Sequence, residues 1–224
     1  AALLVAFVPM FFIAAAFYYM NKADQDCGTC FAWVTRAIGP QAGWMTGWAI
    51  CVTGILVVGS LADVAATSFF DLIGADSLMN STAAVTGTAV ALMIVMTGVC
   101  VWGTEISANL QKVLMVVQIV PLILFIVVAL FKVWSGDAPA GSVDPSLSWL
   151  NPFEIPTGAL SGAMLLAVFI YWGWESAVNL NEETEGDVDK PGLAGVISTT
   201  LLLITYVGVA FAIVAWGGVS GAGK

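Results

Sequence analysis

Glu175 stands beside Gly173 in the run Val168-Phe169-Ile170-Tyr171-Trp172-Gly173-Trp174-Glu175-Ser176, inside an apolar stretch that begins near Thr157 and fades at Asn179 and Asn181. A carboxylate at membrane depth costs about 2.5–3.5 kcal/mol on insertion scales, so it faces protein or a water-filled cavity. A glycine beside it lets the helix unwind where neighbours or water take up the freed amide groups. An acid, an unwound turn and large aromatics together make a polar-lined pocket at mid-membrane. The same residues also fit a packed helix whose glycine lets another helix approach. Glutamate is a poor residue for that second purpose.

Two other places carry reactive side chains. Asp63 lies within an apolar stretch, two turns before a polar end at Asp71. It reads equally as a cavity-facing or proton-accepting acid and as a carboxylate snorkelling to the interface. Cys27-Gly28-Thr29-Cys30 spells a C-x-x-C, which fits a redox pair, half a zinc site, or two small residues at a cramped helix–loop junction. Cys51 and Cys100 lie inside apolar runs, so no second C-x-x-C completes a four-cysteine zinc site. The chain has no histidine. That removes the usual general base and the His-containing zinc and haem sites, and it disfavours an enzyme. No metal or other cofactor is expected.

The elements that must position these groups are membrane helices. The chain has 224 residues, is 60% hydrophobic and is only 9% charged, against about 25% charged in soluble domains. Six apolar segments reach the roughly 20 residues that a helical span needs, at about 1–20, 43–73, 83–102, 113–133, 157–181 and 192–216. The fold class is therefore all-α and integral to the membrane, with 1–224 read as a single transmembrane domain. The second span opens on Gly39-x-x-x-Gly43-x-x-x-Gly47, a ladder that lets helices touch closely. Residues 29–40 are amphipathic and too short to span, so they read as an interfacial or re-entrant helix. Residues 103–111 read as a short loop. Pro9 and Pro121 read as kinks. Residues 134–156, with Pro139, Pro145, Pro152 and Pro156, read as an ordered external loop. The acidic run from Glu182 to Pro191 reads as a solvated loop that does no chemistry. The formal charge of −9 disfavours nucleic acid as a partner.

Lysine and arginine set orientation. Lys22, Arg36, Lys112 and Lys190 follow odd-numbered spans, and Lys132 and Lys224 lie on the opposite side. The bias puts the first set in the cytoplasm and Ala1 outside. An outside start without a signal pattern is expected to follow a helix that precedes Ala1.

Two blocks resemble the amino acid permeases of the amino acid–polyamine–organocation (APC) superfamily. Gly28-Thr29-Cys30-Phe31-Ala32-Trp33 through Gly39-Pro40-Gln41-Ala42-Gly43-Trp44 is similar to the loop after their second helix. Phe169-Ile170-Tyr171-Trp172-Gly173-Trp174-Glu175-Ser176-Ala177, followed by Asn181-Glu182-Glu183-Thr184-Glu185, is similar to their broken sixth helix and the loop beyond it. The resemblance implies that the six spans are helices two to seven of a LeuT-like inverted repeat of five plus five helices. The remaining helices would come from the same full-length chain or from a partner. It implies that Phe169 closes over the substrate and that Tyr171, Trp172, Gly173 and Trp174 form the unwound piece whose carbonyls receive an amino group. It further implies that Glu175 links the break to protonation. Three positions depart from the family pattern. Cys30 stands where threonine or glycine is expected, the run before Pro191 lacks Asn-Pro, and no lysine lies between Lys112 and Lys132. The last leaves the coupling ion open.

The resemblance thus implies a multi-pass plasma-membrane transporter that moves an amino acid or related amine by alternating access, by proton coupling or exchange. A non-transporting membrane subunit or scaffold is the alternative, because the glycine ladder and aromatic belts fit it equally. The stretch from Phe169 to Glu175 separates the two, since a scaffold needs no acid beside a helix break.

Overall fold

The computed structural model describes residues 1–221 and is helical throughout its regular parts. Lys224 and its contribution to orientation lie outside the described residues. In chain order the α-helices are α1 (Ala2–Ala23), α2 (Cys30–Ala37), α3 (Pro40–Leu72), α4 (Asp76–Met79), α5 (Thr82–Trp102), α6 (Thr104–Ser135), α7 (Thr157–Tyr171) and α8 (Lys190–Gly221). Six segments are long and apolar enough to cross a membrane; the fifth, Gly158–Glu183, is α7 together with the 3-10 segment Trp174–Glu183. The expected all-α membrane architecture is present, with its interruption in the fifth span.

Local chemistry sets the ends of these helices. Pro40 sits in the first turn of α3, where its missing N–H costs nothing, and Gly39 caps it at φ 132°. Helix α6 starts earlier than the sequence predicts. Residues 105–111 are helix, not loop, because Glu105 suits the positive end of the helix dipole and the polar turns extend a span beyond the hydrocarbon. Its 32 residues measure about 48 Å at 1.5 Å per residue, against a core of about 30 Å. Pro9 and Pro121 both lie inside continuous helices. The loop after α6 carries two single 3-10 turns, Leu147–Leu150 and Pro152–Glu154, capped by the side chains of Ser146 and Asn151.

The chain forms two compact units, 1–33 with 118–224 and 34–117. In the first unit α1 packs on α7 and α8, and α8 packs on the 3-10 segment. Ala6, Met10 and Ala14 recur every fourth residue, so they line one face of α1 and meet Ala167, Tyr171 and Trp174. Small residues on that face let the backbones come close, which is how membrane helices gain packing energy without a hydrophobic drive. The closeness is visible at Gly192 of α8, where a Cβ would stand 2.8 Å from the Tyr18 Cα of α1.

The second unit repeats the device. Ala62, Ala66 and Phe70 of α3 form a stripe against Val85 and Ala89 of α5. Gly43, in the middle of the glycine ladder, makes a tight contact: a Cβ there would overlap the Thr35 side chain of α2.

Candidate functional site

The fifth span breaks where the glycine predicted it. Helix α7 ends at Tyr171, Trp172 is extended at φ −73° and ψ 155°, and Gly173 takes φ 113° and ψ −14°. Only glycine adopts that conformation without strain. The chain then winds as the tighter 3-10 segment Trp174–Glu183.

Each backbone group at the break can be followed. The Trp172 N–H donates to the Phe169 carbonyl at 3.2 Å, and the Ser176 N–H donates to the Gly173 carbonyl at 3.3 Å. The Tyr206 hydroxyl of α8 donates to the Ile170 carbonyl at 3.0 Å. The Gly173 N–H donates to Oε2 of Glu175 at 3.0 Å, so a carboxylate in the first turn of the segment reaches back to the residue before it. Among the described residues, the carbonyls of Tyr171 and Trp172 receive no hydrogen bond. They lie at the negative end of the α7 dipole.

Aromatic side chains hold the break in place. Tyr171 is fully buried, packs on Phe7 and Tyr206 with ring centroids 6.2 and 5.5 Å apart, and donates its hydroxyl to the Leu3 carbonyl at 3.2 Å. Trp174 is 6% exposed and meets Phe17 edge-on at 5.1 Å. Its indole Nε1–H is buried with no partner among the described residues. A buried donor left so costs about 1–3 kcal/mol, an incentive to accept any acceptor that arrives. Phe169 is 55% exposed, on the other side of α7 from Ala167 and Tyr171, which lie in the core.

The two blocks singled out in the sequence meet at this segment. The Thr29 hydroxyl donates to Oδ1 of Asn179 at 3.1 Å. The Cys27 N–H donates to Oε1 of Glu182 at 2.9 Å, and its thiol to Oδ1 of Asn181 at 3.4 Å. Asn181 Nδ2 donates to Oδ1 of Asn21 at 2.8 Å and to the Asp26 carbonyl at 3.3 Å, and Asn21 Nδ2 donates to the Val188 carbonyl at 3.0 Å. Lys22 and Tyr18 both reach Oδ2 of Asp189, at 3.0 and 3.4 Å. So two members of the acidic run, Glu182 and Asp189, are tied down. Burial pushes the Cys30 thiol above its ordinary value of 9.0, and the Glu175 charge adds to the effect.

Tyr171, Trp172, Gly173, Trp174 and Glu175 are therefore gathered at one break, two of them in the core. Phe169 lies one turn before it on the exposed face. Asp63 belongs to the second unit, where it is exposed on α3. Sequence reasoning missed Tyr206, Asn21 and Asn181. The signal for the last two was present, since asparagines bordering apolar spans need partners. Among the described residues no cluster of three metal-ligating side chains occurs. A cleft of about 590 Å³ involves Leu130, Trp134, Asp144, Pro145 and Phe211 rather than the break.

No solved structure matches this chain. The chain is 27% identical over 212 residues to the "Uncharacterized amino acid permease YtnA" of Bacillus subtilis (strain 168), an alignment that covers 91% of this chain and 43% of the relative. It thus spans less than half of that relative's length. A family model described as "Amino acid permease" matches residues 1–222. On that match, nearly end to end, the chain belongs to the amino acid permease family.

Proposed function

We propose that this chain supplies part of the substrate path of a secondary transporter that moves amino acids or related amines by alternating access. The family is one of transporters, not enzymes. The observation that carries the reading is the break itself: two unbonded carbonyls, of Tyr171 and Trp172, at the negative end of α7, within a turn of an exposed aromatic and four and three residues before a carboxylate.

The chemistry follows from that arrangement. An ammonium group needs acceptors and negative potential, and the Tyr171 and Trp172 carbonyls with the α7 dipole supply both. Phe169 covers the bound substrate. Glu175 holds Gly173 by an acceptor bond that its protonation weakens, so proton binding loosens the break. This gives proton coupling or exchange a physical handle. Asp63 is the second acid for a proton in the membrane. Working in the plasma membrane, such a carrier rocks one group of helices against another around the site.

Counterflow tests the reading. The full-length protein is reconstituted into vesicles loaded with unlabelled amino acid, and entry of labelled amino acid is followed. A carrier accumulates label transiently above equilibrium. A membrane subunit or scaffold gives no overshoot with any amino acid or amine of a broad panel, and that result would overturn the proposal.

A further inference from the structure

The turn that carries Cys27 and Cys30 has a use beyond transport. Overlapping hydrogen bonds, Thr29 N–H to the Asp26 carbonyl and Phe31 N–H to the Gly28 carbonyl, both 2.9 Å, coil the chain tightly through these residues. Each bond brings the residues at its ends, 26 with 29 and 28 with 31, to within about 7 Å between Cα atoms, and Cys27 and Cys30 lie between and beside these pairs on the same coil. A disulfide needs about 4.4–6.8 Å. Both cysteines are free thiols and partly buried. The Cys27 thiol is also a working donor, to Oδ1 of Asn181, which is only 2% exposed. We propose that Cys27 and Cys30 form a reversible disulfide, and that forming it removes one tie between this turn and the segment that follows the helix break.

The step needs a low-molecular-weight disulfide as oxidant. The Cys27 thiolate attacks one of its sulfurs, a protein–small-molecule disulfide forms, and one small thiolate leaves. The Cys30 thiolate then attacks the Cys27 sulfur, the internal disulfide forms, and the second small thiolate leaves. Two protein thiols lose two electrons and two protons, and the small disulfide gains them as two thiols. Burial beside Glu175 disfavours the free Cys30 thiolate, so Cys27 is the sulfur that meets the oxidant first and Cys30 attacks only once the mixed disulfide is held beside it. The orientation read from Lys22, Arg36, Lys112 and Lys190 puts the turn on the cytosolic side, which holds it reduced until the thiol pool is oxidised.

Once oxidised, Cys27 has no S–H to donate, and Asn181 loses the donor to its carbonyl oxygen. Amide exchange over residues 179–184 is then expected to quicken by about fivefold, the scale of one net hydrogen bond.

The test takes the full-length protein in membrane vesicles through a series of glutathione to glutathione disulfide ratios. Samples are quenched with acid, alkylated with N-ethylmaleimide and read by peptide mass spectrometry. The expected product is an unalkylated peptide, lighter by two hydrogens, that holds both cysteines. Cys30→Ser should stop the reaction at a glutathione adduct on Cys27. In Cys27→Ser the label on Cys30 should stay N-ethylmaleimide. Hydrogen exchange on the oxidised wild-type protein reads the effect without any variant. Full alkylation of both thiols across the series would overturn the proposal. So would a disulfide to Cys51, Cys100 or a second chain, or oxidation that leaves exchange at 179–184 unchanged.

Discussion

Asn21 and Asn181, 160 positions apart in the sequence, share a buried hydrogen bond of 2.8 Å that ties the end of α1 to the end of the broken fifth span. Each amide spends its remaining capacity on neighbours: Asn181 on the Asp26 carbonyl and the Cys27 thiol, Asn21 on the Val188 carbonyl. A satisfied pair of this kind is worth little net, but breaking it is expensive.

Asn181→Leu is accordingly expected to cost about 1–3 kcal/mol, because Asn21 keeps a buried acceptor with nothing to bind. Replacing both, Asn21→Leu with Asn181→Leu, should recover part of that loss. A double-mutant cycle on thermal unfolding in detergent checks this. Strict additivity of the two single changes would mean that the pair is not coupled.

Gly173→Ala tests backbone conformation alone. A Cβ at this position meets no atom within 4 Å, so nothing steric opposes it. The cost lies in φ 113°, and is about 1–3 kcal/mol. Circular dichroism melts should show the drop. A larger unbranched residue such as Met should do little worse than Ala, whereas a steric site would grade with size.

Glu175→Ala is expected to abolish uptake by the full-length protein while leaving membrane insertion intact. The carboxylate that caps Gly173 is gone, and so is the group whose charge the proposed cycle switches. Radiolabel uptake in vesicles and protease accessibility of the loops separate the two effects. Normal uptake would remove this residue from the mechanism.

Phe169→Ala is expected to weaken substrate retention and raise leak, with little change in stability. The ring is more than half exposed, so truncating it opens only a small cavity. Binding affinity and efflux from loaded vesicles measure it. If both stay unchanged, Phe169 is ordinary surface.

Thiol alkylation should show the pH behaviour of Cys30. Its ionisation is raised, so at pH 8 it is more protonated than an ordinary thiol and labels more slowly. The rate should keep climbing above pH 9, where an unperturbed thiol starts to level off. Glu175→Gln should move the curve down by only part of the shift, since burial is the larger cause.

Much of this was legible in the residues. Apolar runs of 20 or more gave six spans, and the family's LeuT-like fold agrees with the resemblance carried by the two blocks. Gly173 marked the break because no other residue in that run tolerates positive φ at low cost. Two things were hidden. Residues 105–111 were too polar for a span and so read as loop, yet their helix simply continues out of the apolar layer. The contacts of Asn21, Cys27 and Thr29 with residues 179–182 depend on tertiary approach, which no local spacing encodes. The sequence showed that these polar groups needed partners but not which ones.

The close seam of α1 and α8 bears on how the bilayer acts on the protein. With the Gly192 backbone against the Tyr18 Cα, no acyl chain or detergent tail can enter between the two helices there, and Gly195 closes α8 on the Trp174 ring of the 3-10 segment in the same way. Stripping lipid thus bares the outward faces and leaves this seam dry. A thicker or thinner bilayer then acts on the two helices as one beam, tilting them together and carrying the bend at Gly173 with them.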